Sequence, residues 1–327
     1  MKRPSLYAAS VFDIGGTFLR GALIRRAQGL LEHVRQDIRC SDHETLESAL
    51  RAYFAAIEQP LPPRMAIGIA GPVLDDEVRM TNLNWSFSQS ALKEALGLEE
   101  LLVDNDAAMM ACGLPGLAPE QLLHVKGQGK RRPGAPLALI SPGTGLGQSG
   151  VLFDDKNDGR PIPIRSEGGH ADLAGTTQRE LQVIGKMAEF LEGNVSAERG
   201  AVSGTGLPNL YRAVCLLRGA DPRPITAAQV TERALTNDPI CQEVFDLFFS
   251  FLGIAARTLA LTIGSDGGLY IGGGIVPRFV HALKASAFHA RLIGKGLQAP
   301  RLEAMPVYIV MDSDQTALHG AARALGL

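Results

Sequence analysis

Apolar residues fall in short runs ended by glycine turns and in longer stretches at helical spacing, the alternation expected of an α/β chain. The run Tyr7–Ile14 ends in Asp13–Ile14–Gly15–Gly16–Thr17, and a second run, Leu19–Arg25, follows almost at once. Two strands joined by a Gly-rich turn predict a hairpin. Leu46, Leu50, Tyr53, Phe54 and Ile57 predict a helix over 42–57, with Ser41 or Asp42 as N-cap. Met65–Ala70 and Leu101–Val103 read as strands, and between them Ser88 or Ser90 caps a helix ending at Leu96. After Asp104–Asn105–Asp106 a helix begins over Ala107–Cys112.

The stretch Gly113–Pro133 is rich in Gly, Pro and polar residues and reads as a linker, with a domain boundary near Gly113. The opening pattern then returns: strand Leu137–Ile140, the turn Pro142–Gly143–Thr144–Gly145–Leu146–Gly147, and strand Ser149–Phe153. It is a repeat of plan rather than of sequence. Helices are predicted over 178–191, 206–217, 227–236 and 240–263. Strand Gly268–Ile271 runs into Gly272–Gly273–Gly274, and a helix over 276–285, strand Val307–Met311 and a terminal helix over 315–324 complete the chain.

The 327 residues suggest roughly two domains at about 150 residues each. With 46% hydrophobic and 20% charged residues the composition is that of an ordinary globular protein. A net charge of −2 offers no attraction for nucleic acid or an anionic membrane, and the basic run Lys130–Arg131–Arg132 reads as a solvated loop. The four cysteines, Cys40, Cys112, Cys215 and Cys241, form no CxxC pair, so neither a zinc knuckle nor a redox motif is visible. Isolated cysteines, and a start (MKRPSLYAAS) without a sustained apolar segment, lead to the expectation of a cytoplasmic protein. Phe245–Ile263 is the most membrane-like stretch, but Arg257 lies within it, and a buried helix is expected.

Three glycine-rich turns follow apolar strands: Asp13–Thr17, Gly143–Gly147 and Gly272–Gly274. Glycine at a strand end lets backbone N–H groups approach a phosphate, although any one such turn could simply reverse the chain. No G-x-x-x-x-G-K-[ST] occurs, which disfavours a P-loop NTPase, and no G-x-G-x-x-G opens a helix after the first strand, which disfavours a dinucleotide-binding dehydrogenase.

Asp13–Ile–Gly–Gly–Thr17 with Arg20 resembles the first phosphate loop of the sugar kinase/Hsp70/actin superfamily. Gly143–Thr–Gly–Leu–Gly147 resembles its second phosphate loop, and Gly272–Gly–Gly–Ile–Val–Pro–Arg278 its adenosine motif. Thr81–Asn–Leu–Asn–Trp85, Glu167–Gly–Gly–His170–Ala–Asp172, and Glu198–Arg199 with Ser203–Gly204 and Gly206–Arg212 narrow the resemblance to bacterial-type glucokinase. They stand in family order and span nearly the whole chain. Repressor-type sugar kinases carry a Cys-rich zinc motif after this Glu–Gly–Gly–His segment; here Ala–Asp–Leu–Ala–Gly–Thr–Thr follows, so neither structural zinc nor DNA binding is expected.

The resemblance implies a two-domain actin-like ATPase (ribonuclease H-like) fold with the active site in the cleft. Residues 1–112 and 312–327 would form the small domain and 113–311 the large one. It implies ATP-dependent phosphorylation of D-glucose to glucose 6-phosphate, with Asp106 as catalytic base and Asn105, Asp106, Glu167, His170 and Glu198 around the sugar. Asp13, Gly15, Gly16, Thr17, Gly143, Thr144, Gly145, Gly273 and Gly274 would bind ATP, with Asp13 near Mg²⁺ through water. A homodimer is implied, and neither a nucleic-acid nor a membrane partner. By sequence alone Asp104 is a rival base, Asp104 and Asp106 could merely cap the following helix, and Arg20 has no assigned role. A kinase for fructose, mannose or an N-acetylated sugar, and a non-catalytic sugar-binding regulator, remain as alternatives.

Overall fold

The computed structural model describes residues 6–25, 31–80, 83–127, 131–154 and 159–327. Thr81–Asn82 of the predicted motif and Lys130 of the basic run lie outside these residues. The chain divides into two compact units, one formed by residues 1–118, 161–165 and 312–327, the other by 119–160 and 166–311.

The first unit is built on five strands: β1 (Tyr7–Ile14), β2 (Phe18–Arg25), β3 (Leu31–Arg39), β4 (Arg64–Ile69) and β5 (Glu100–Asn105), in the order β3-β2-β1-β4-β5. The predicted hairpin is present, with Asp13 opposite Arg20, and β4 and β5 run parallel to β1. Because β1 and β5 are parallel, Asp13 and Asn105–Asp106 emerge at the same edge of the sheet. This edge is where ligands bind in open α/β sheets.

On one face of the sheet the helix Leu46–Ala56 buries Leu50, Tyr53 and Phe54. Phe12 meets the Tyr53 ring edge-to-face at 5.1 Å between centroids. This helix starts later than expected. Cys40–Asp42 forms a 3₁₀ turn instead, and Thr45 is the N-cap, exchanging hydrogen bonds with Ser48 in a capping box. The expected cap at Ser88 is present, its Oγ accepting the Ala91 N–H at 3.1 Å.

On the other face the helices Asp106–Gly113 and Ser313–Ala324 pack together over Ala9, Val11, Ile24 and Ala66. Their crossing is too close for side chains at two positions. A Cβ on Gly320 would lie 1.7 Å from the Met109 carbonyl, and one on Gly113 2.2 Å from that of Thr316. The helix that Asp106 opens is thus seated by the last helix of the unit.

The second unit repeats the plan. Five neighbouring strands of its sheet are β6 (Leu122–Lys126), β7 (Leu137–Pro142), β8 (Leu146–Asp154), β9 (Gly268–Ile271) and β10 (Val307–Val310), side by side as β8-β7-β9-β10-β6. The pair β7–β8 is again an antiparallel hairpin, and β9 and β10 run parallel to β7. Strand β6 occupies part of the stretch read as a linker, pairing antiparallel with β10. Neighbouring Gly and Pro masked this short strand in the sequence.

The helix Pro239–Ile263 is the spine of this unit. Asp238 caps it, Pro239 stands at its first turn, and Gly264 ends it in the left-handed conformation at φ 71°. It is long and apolar enough to cross a membrane, yet Val244, Phe248, Phe249, Phe251 and Leu252 are fully buried in the unit's core. The helices Gln178–Ala188, Gly206–Leu217 and Ala227–Leu235 lie close to their expected positions. Over 276–285 the expected single helix is a 3₁₀ turn, Val276–Phe279, followed by the helix Val280–Ala285.

Candidate active site

In the first unit the β1–β2 turn carries Asp13, Gly15, Gly16 and Thr17. Space is open above the Gly15 backbone, and Thr17 is exposed at the tip. The Gly15 N–H donates to the Phe18 carbonyl at 3.2 Å, and the Cys40 N–H to that of Thr17 at 2.9 Å, so the turn is pinned at both ends. Asp13 retains 15% of its side-chain exposure. Its carboxyl is pushed up to about 7, first by burial and then by repulsion from Asp106 and Asp314, with Arg20 opposing. Arg20 reaches Asp314 at 3.3 Å, Asp37 at 3.9 Å and Asp13 at 4.0 Å. Its role is thereby visible: it is the cation within an acidic group. Asp314, which sequence reasoning missed, belongs to that group by virtue of the last helix.

At the end of β5 three polar residues have three different settings. Asp104 is buried, and its Oδ1 accepts from the Arg165 Nε–H and from the Asn105 N–H, each at 2.8 Å. Asn105 caps the following helix, its Oδ1 accepting from Ala107 N–H at 2.9 Å and Ala108 N–H at 3.3 Å. Asp106 opens the helix, with Oδ1 accepting from Ala107 N–H at 2.7 Å. The capping alternative therefore falls chiefly to Asn105. The ion-paired carboxylate is Asp104, and the carboxylate whose charge acts on Asp13 is Asp106.

In the second unit the β7–β8 turn holds Gly143, Thr144 and Gly145. Gly143 has open space above it and Thr144 is exposed. At the end of the neighbouring parallel strand β9, Gly273 adopts φ 78°, and a Cβ there would lie 2.3 Å from the Pro142 carbonyl. Only glycine lets these two turns lie together, and Gly274 beside them is open. Glu167 precedes a 3₁₀ turn that His170 closes, both exposed, with His170 Nε2 3.8 Å from Glu167 Oε2. Glu198 is half-buried, and its Oε2 accepts the Leu146 N–H at 2.6 Å. The Gly204 N–H donates to the Gly143 carbonyl at 2.8 Å, and the Thr205 N–H to that of Thr144 at 3.3 Å. These braces span more than 50 residues of sequence and left no local signal.

The structure thus gathers Asp13, Gly15, Gly16, Thr17, Asn105 and Asp106 at one sheet edge of the first unit. It gathers Gly143, Thr144, Gly145, Glu198, Gly273 and Gly274 at the corresponding edge of the second, with Glu167 and His170 following β8. Leu83, Asn84 and Trp85 line a separate cavity of about 320 Å³ with Cys40 and His43 in the first unit. Trp85 donates there from Nε1 to the His43 carbonyl at 3.1 Å. Among the described residues no group of three or more His, Cys, Asp or Glu side chains is placed to hold a metal ion directly.

The family model described as Glucokinase matches residues 11–326. The glucokinase of Nitrobacter hamburgensis is 42% identical over 313 residues, covering 95% of this chain and 94% of that one. The glucokinase of Chromobacterium violaceum is 42% identical over 320 residues, covering 98% and 89%. Among solved structures, a glucokinase from an Antarctic psychrotroph shares 33% identity and superposes with a TM-score of 0.84 over 97% of this chain and 98% of that one. A ROK family glucokinase from Streptomyces griseus, in complex with glucose and AMPPNP, shares 20% identity at a TM-score of 0.63 over 97% and 98%. The expected α/β, actin-like ATPase fold of sugar kinases is the fold that these neighbours share with this chain. Matched along almost its entire length, the chain belongs to the glucokinase family.

Proposed function

We propose that the protein transfers the γ-phosphoryl group of ATP to the 6-hydroxyl of D-glucose. The observation that carries the reading is the contrast at the end of β5. Asp104 is tied to Arg165, while Asp106 faces the repulsion of Asp13 at the sheet edge where the first glycine turn emerges. In this reading the proton of the sugar 6-hydroxyl passes to the Asp106 carboxylate as the hydroxyl oxygen bonds to the γ-phosphorus. The bond from that phosphorus to the β-phosphate bridging oxygen breaks, giving glucose 6-phosphate and ADP. Positioning and charge stabilisation do most of the work in such transfers. The hydrogen bond from Ala107 N–H fixes the carboxylate's orientation. Asn105, Glu167, His170 and Glu198 supply the mixture of donors and acceptors that a ring of hydroxyls requires.

The two hairpin turns hold the phosphates. Gly15, Gly16 and Gly143 offer backbone N–H groups, and Thr17 and Thr144 offer hydroxyl donors at exposed tips. Gly273 and Gly274 allow adenosine to lie against backbone. Mg²⁺, when bound, neutralises charge on the phosphate oxygens. Asp13 suits it: a mostly buried carboxylate crowded by Asp106 and Asp314 favours a nearby cation, which it would meet through water. A cytoplasmic location and a homodimer are part of this proposal.

The test is ADP release in a coupled assay over glucose, fructose, mannose and an N-acetylated hexosamine, with and without Mg²⁺. Turnover greatest with glucose is expected. Turnover with fructose but not glucose would overturn the substrate, and none with any hexose would leave a sugar-binding regulator.

A further inference from the structure

The second glycine loop is held in place by residues 198–205. The Glu198 Oε2 accepts the Leu146 N–H at 2.6 Å, a short bond from a backbone amide to a carboxylate. The same oxygen fills the space where a Gly145 side chain would stand, since a Cβ there would lie 2.6 Å from it. The Glu198 carbonyl accepts from Ser203 Oγ at 2.7 Å, and Ser203 Oγ in turn accepts from the Gly206 N–H at 2.8 Å. That knot presents the Gly204 and Thr205 amides to the Gly143 and Thr144 carbonyls. The carboxylate grips the loop at Gly145–Leu146, while the backbone above Gly143 stays open and Thr144 stays exposed.

We propose that Glu198 is a positioning residue for the nucleotide as well as a sugar ligand: its carboxylate sets the 143–147 loop in its phosphate-binding shape. One oxygen holds the Leu146 amide and the other is the one offered to the sugar. A sugar that fixes this carboxylate therefore also fixes the loop, and by linkage each substrate raises the affinity for the other by the same factor. The inference rests on the reading of 143–147 as a phosphate loop.

The experiment is calorimetric titration of AMPPNP with Mg²⁺ into the sugar-free protein, with thermal unfolding to confirm that each variant is folded. Glu198→Ala should weaken AMPPNP by about ten- to a hundredfold, the range of a lost hydrogen bond to a charged partner. Glu198→Gln keeps an acceptor oxygen and should stay within about threefold of wild type for AMPPNP. Should Glu198→Ala fail to fold, Glu198→Asp, too short to reach the amide, gives the same reading. The cost of Gly145→Ala should shrink in the Glu198→Ala background, because the Cβ and the carboxylate compete for one space. Unchanged or tighter AMPPNP binding by Glu198→Ala, or strictly additive costs in the double variant, would overturn the proposal. Thr144→Val separates the two levels. If it weakens AMPPNP while Glu198→Ala does not, only the positioning role fails; if wild type binds no AMPPNP, the phosphate-loop reading fails with it.

Discussion

Two carboxylates, the fully buried Glu180 in the second unit and the mostly buried Asp13 in the first, have been driven in opposite directions. Glu180 is 1% exposed, and its Oε1 accepts from Arg291 Nε at 2.6 Å. Its Oε2 accepts from the Thr176 and Thr177 N–H groups and from the Thr176 hydroxyl. Burial alone would raise it, but these donors outweigh burial and bring it down to about 2. Burial raises Asp13 as well, without such a set of donors among the described residues. Asp106 and Asp314 add repulsion, and Arg20 relieves it only in part. A saturated carboxylate holds architecture together; an undersupplied one at a strand end is poised to meet a cation or a substrate.

The largest effect should come from the acidic group itself. Asp106→Asn should lower kcat by about a hundred- to ten-thousandfold, the usual range for a lost general base, with glucose binding retained by calorimetry. Asp104→Asn should be mild in kcat, because that carboxylate is engaged with Arg165. Reversed effects would move the catalytic role to Asp104. Next, Glu180→Ala should cost about 3–5 kcal/mol in denaturant unfolding, since it strands Arg291, while changing kcat little. A loss of activity at full stability would break the division between the two carboxylates.

The pH dependence of stability sharpens it further. Glu180 binds its proton less tightly in the folded than in the unfolded protein. Its contribution is present above about 4.5 and lost as pH falls toward 2. Asp13 binds its proton more tightly when folded, so stability should decline as pH rises from about 4 to 7 and level off above. Thermal unfolding of the ligand-free protein should show that decline in wild type and a flatter profile in Asp13→Asn. An unchanged slope would mean that Asp13 is not the titrating group. The smallest effect is expected of Thr176→Val, which removes one of the donors to Glu180. It should cost about 0.5–1.5 kcal/mol by denaturant unfolding and leave the other bonds in place.

Much of this was legible in the sequence where local pattern and tertiary role coincide. The β1–β2 and β7–β8 hairpins announce themselves by apolar runs around glycine turns, and the long helix by its periodicity and by Asp238–Pro239 at its start. Strand β3, with its mixed polar sequence LEHVRQDIR, gave no such pattern; its place comes from backbone pairing along β2. Strand β6 was concealed because its partner β10 lies nearly 200 residues away. The site residues were named by motif, but their settings were not readable. That Asp104 is ion-paired, that Arg20 pairs with three carboxylates from three different elements, and that Glu198 holds Leu146 are all consequences of long-range contact. Thr45 replaced Ser41 and Asp42 as cap because the chain spends those residues on a 3₁₀ turn.

The crossing at Gly113 and Gly320 has a consequence for biogenesis. During translation the segment carrying Asp106 leaves the ribosome early, yet the helix it packs against emerges only after the whole second unit has been made. The nascent first unit therefore waits, with its apolar helix face uncovered, until residues 313–324 arrive. A message truncated just after residue 311 would yield a finished second unit joined to a first one whose Asp106 helix has no seat.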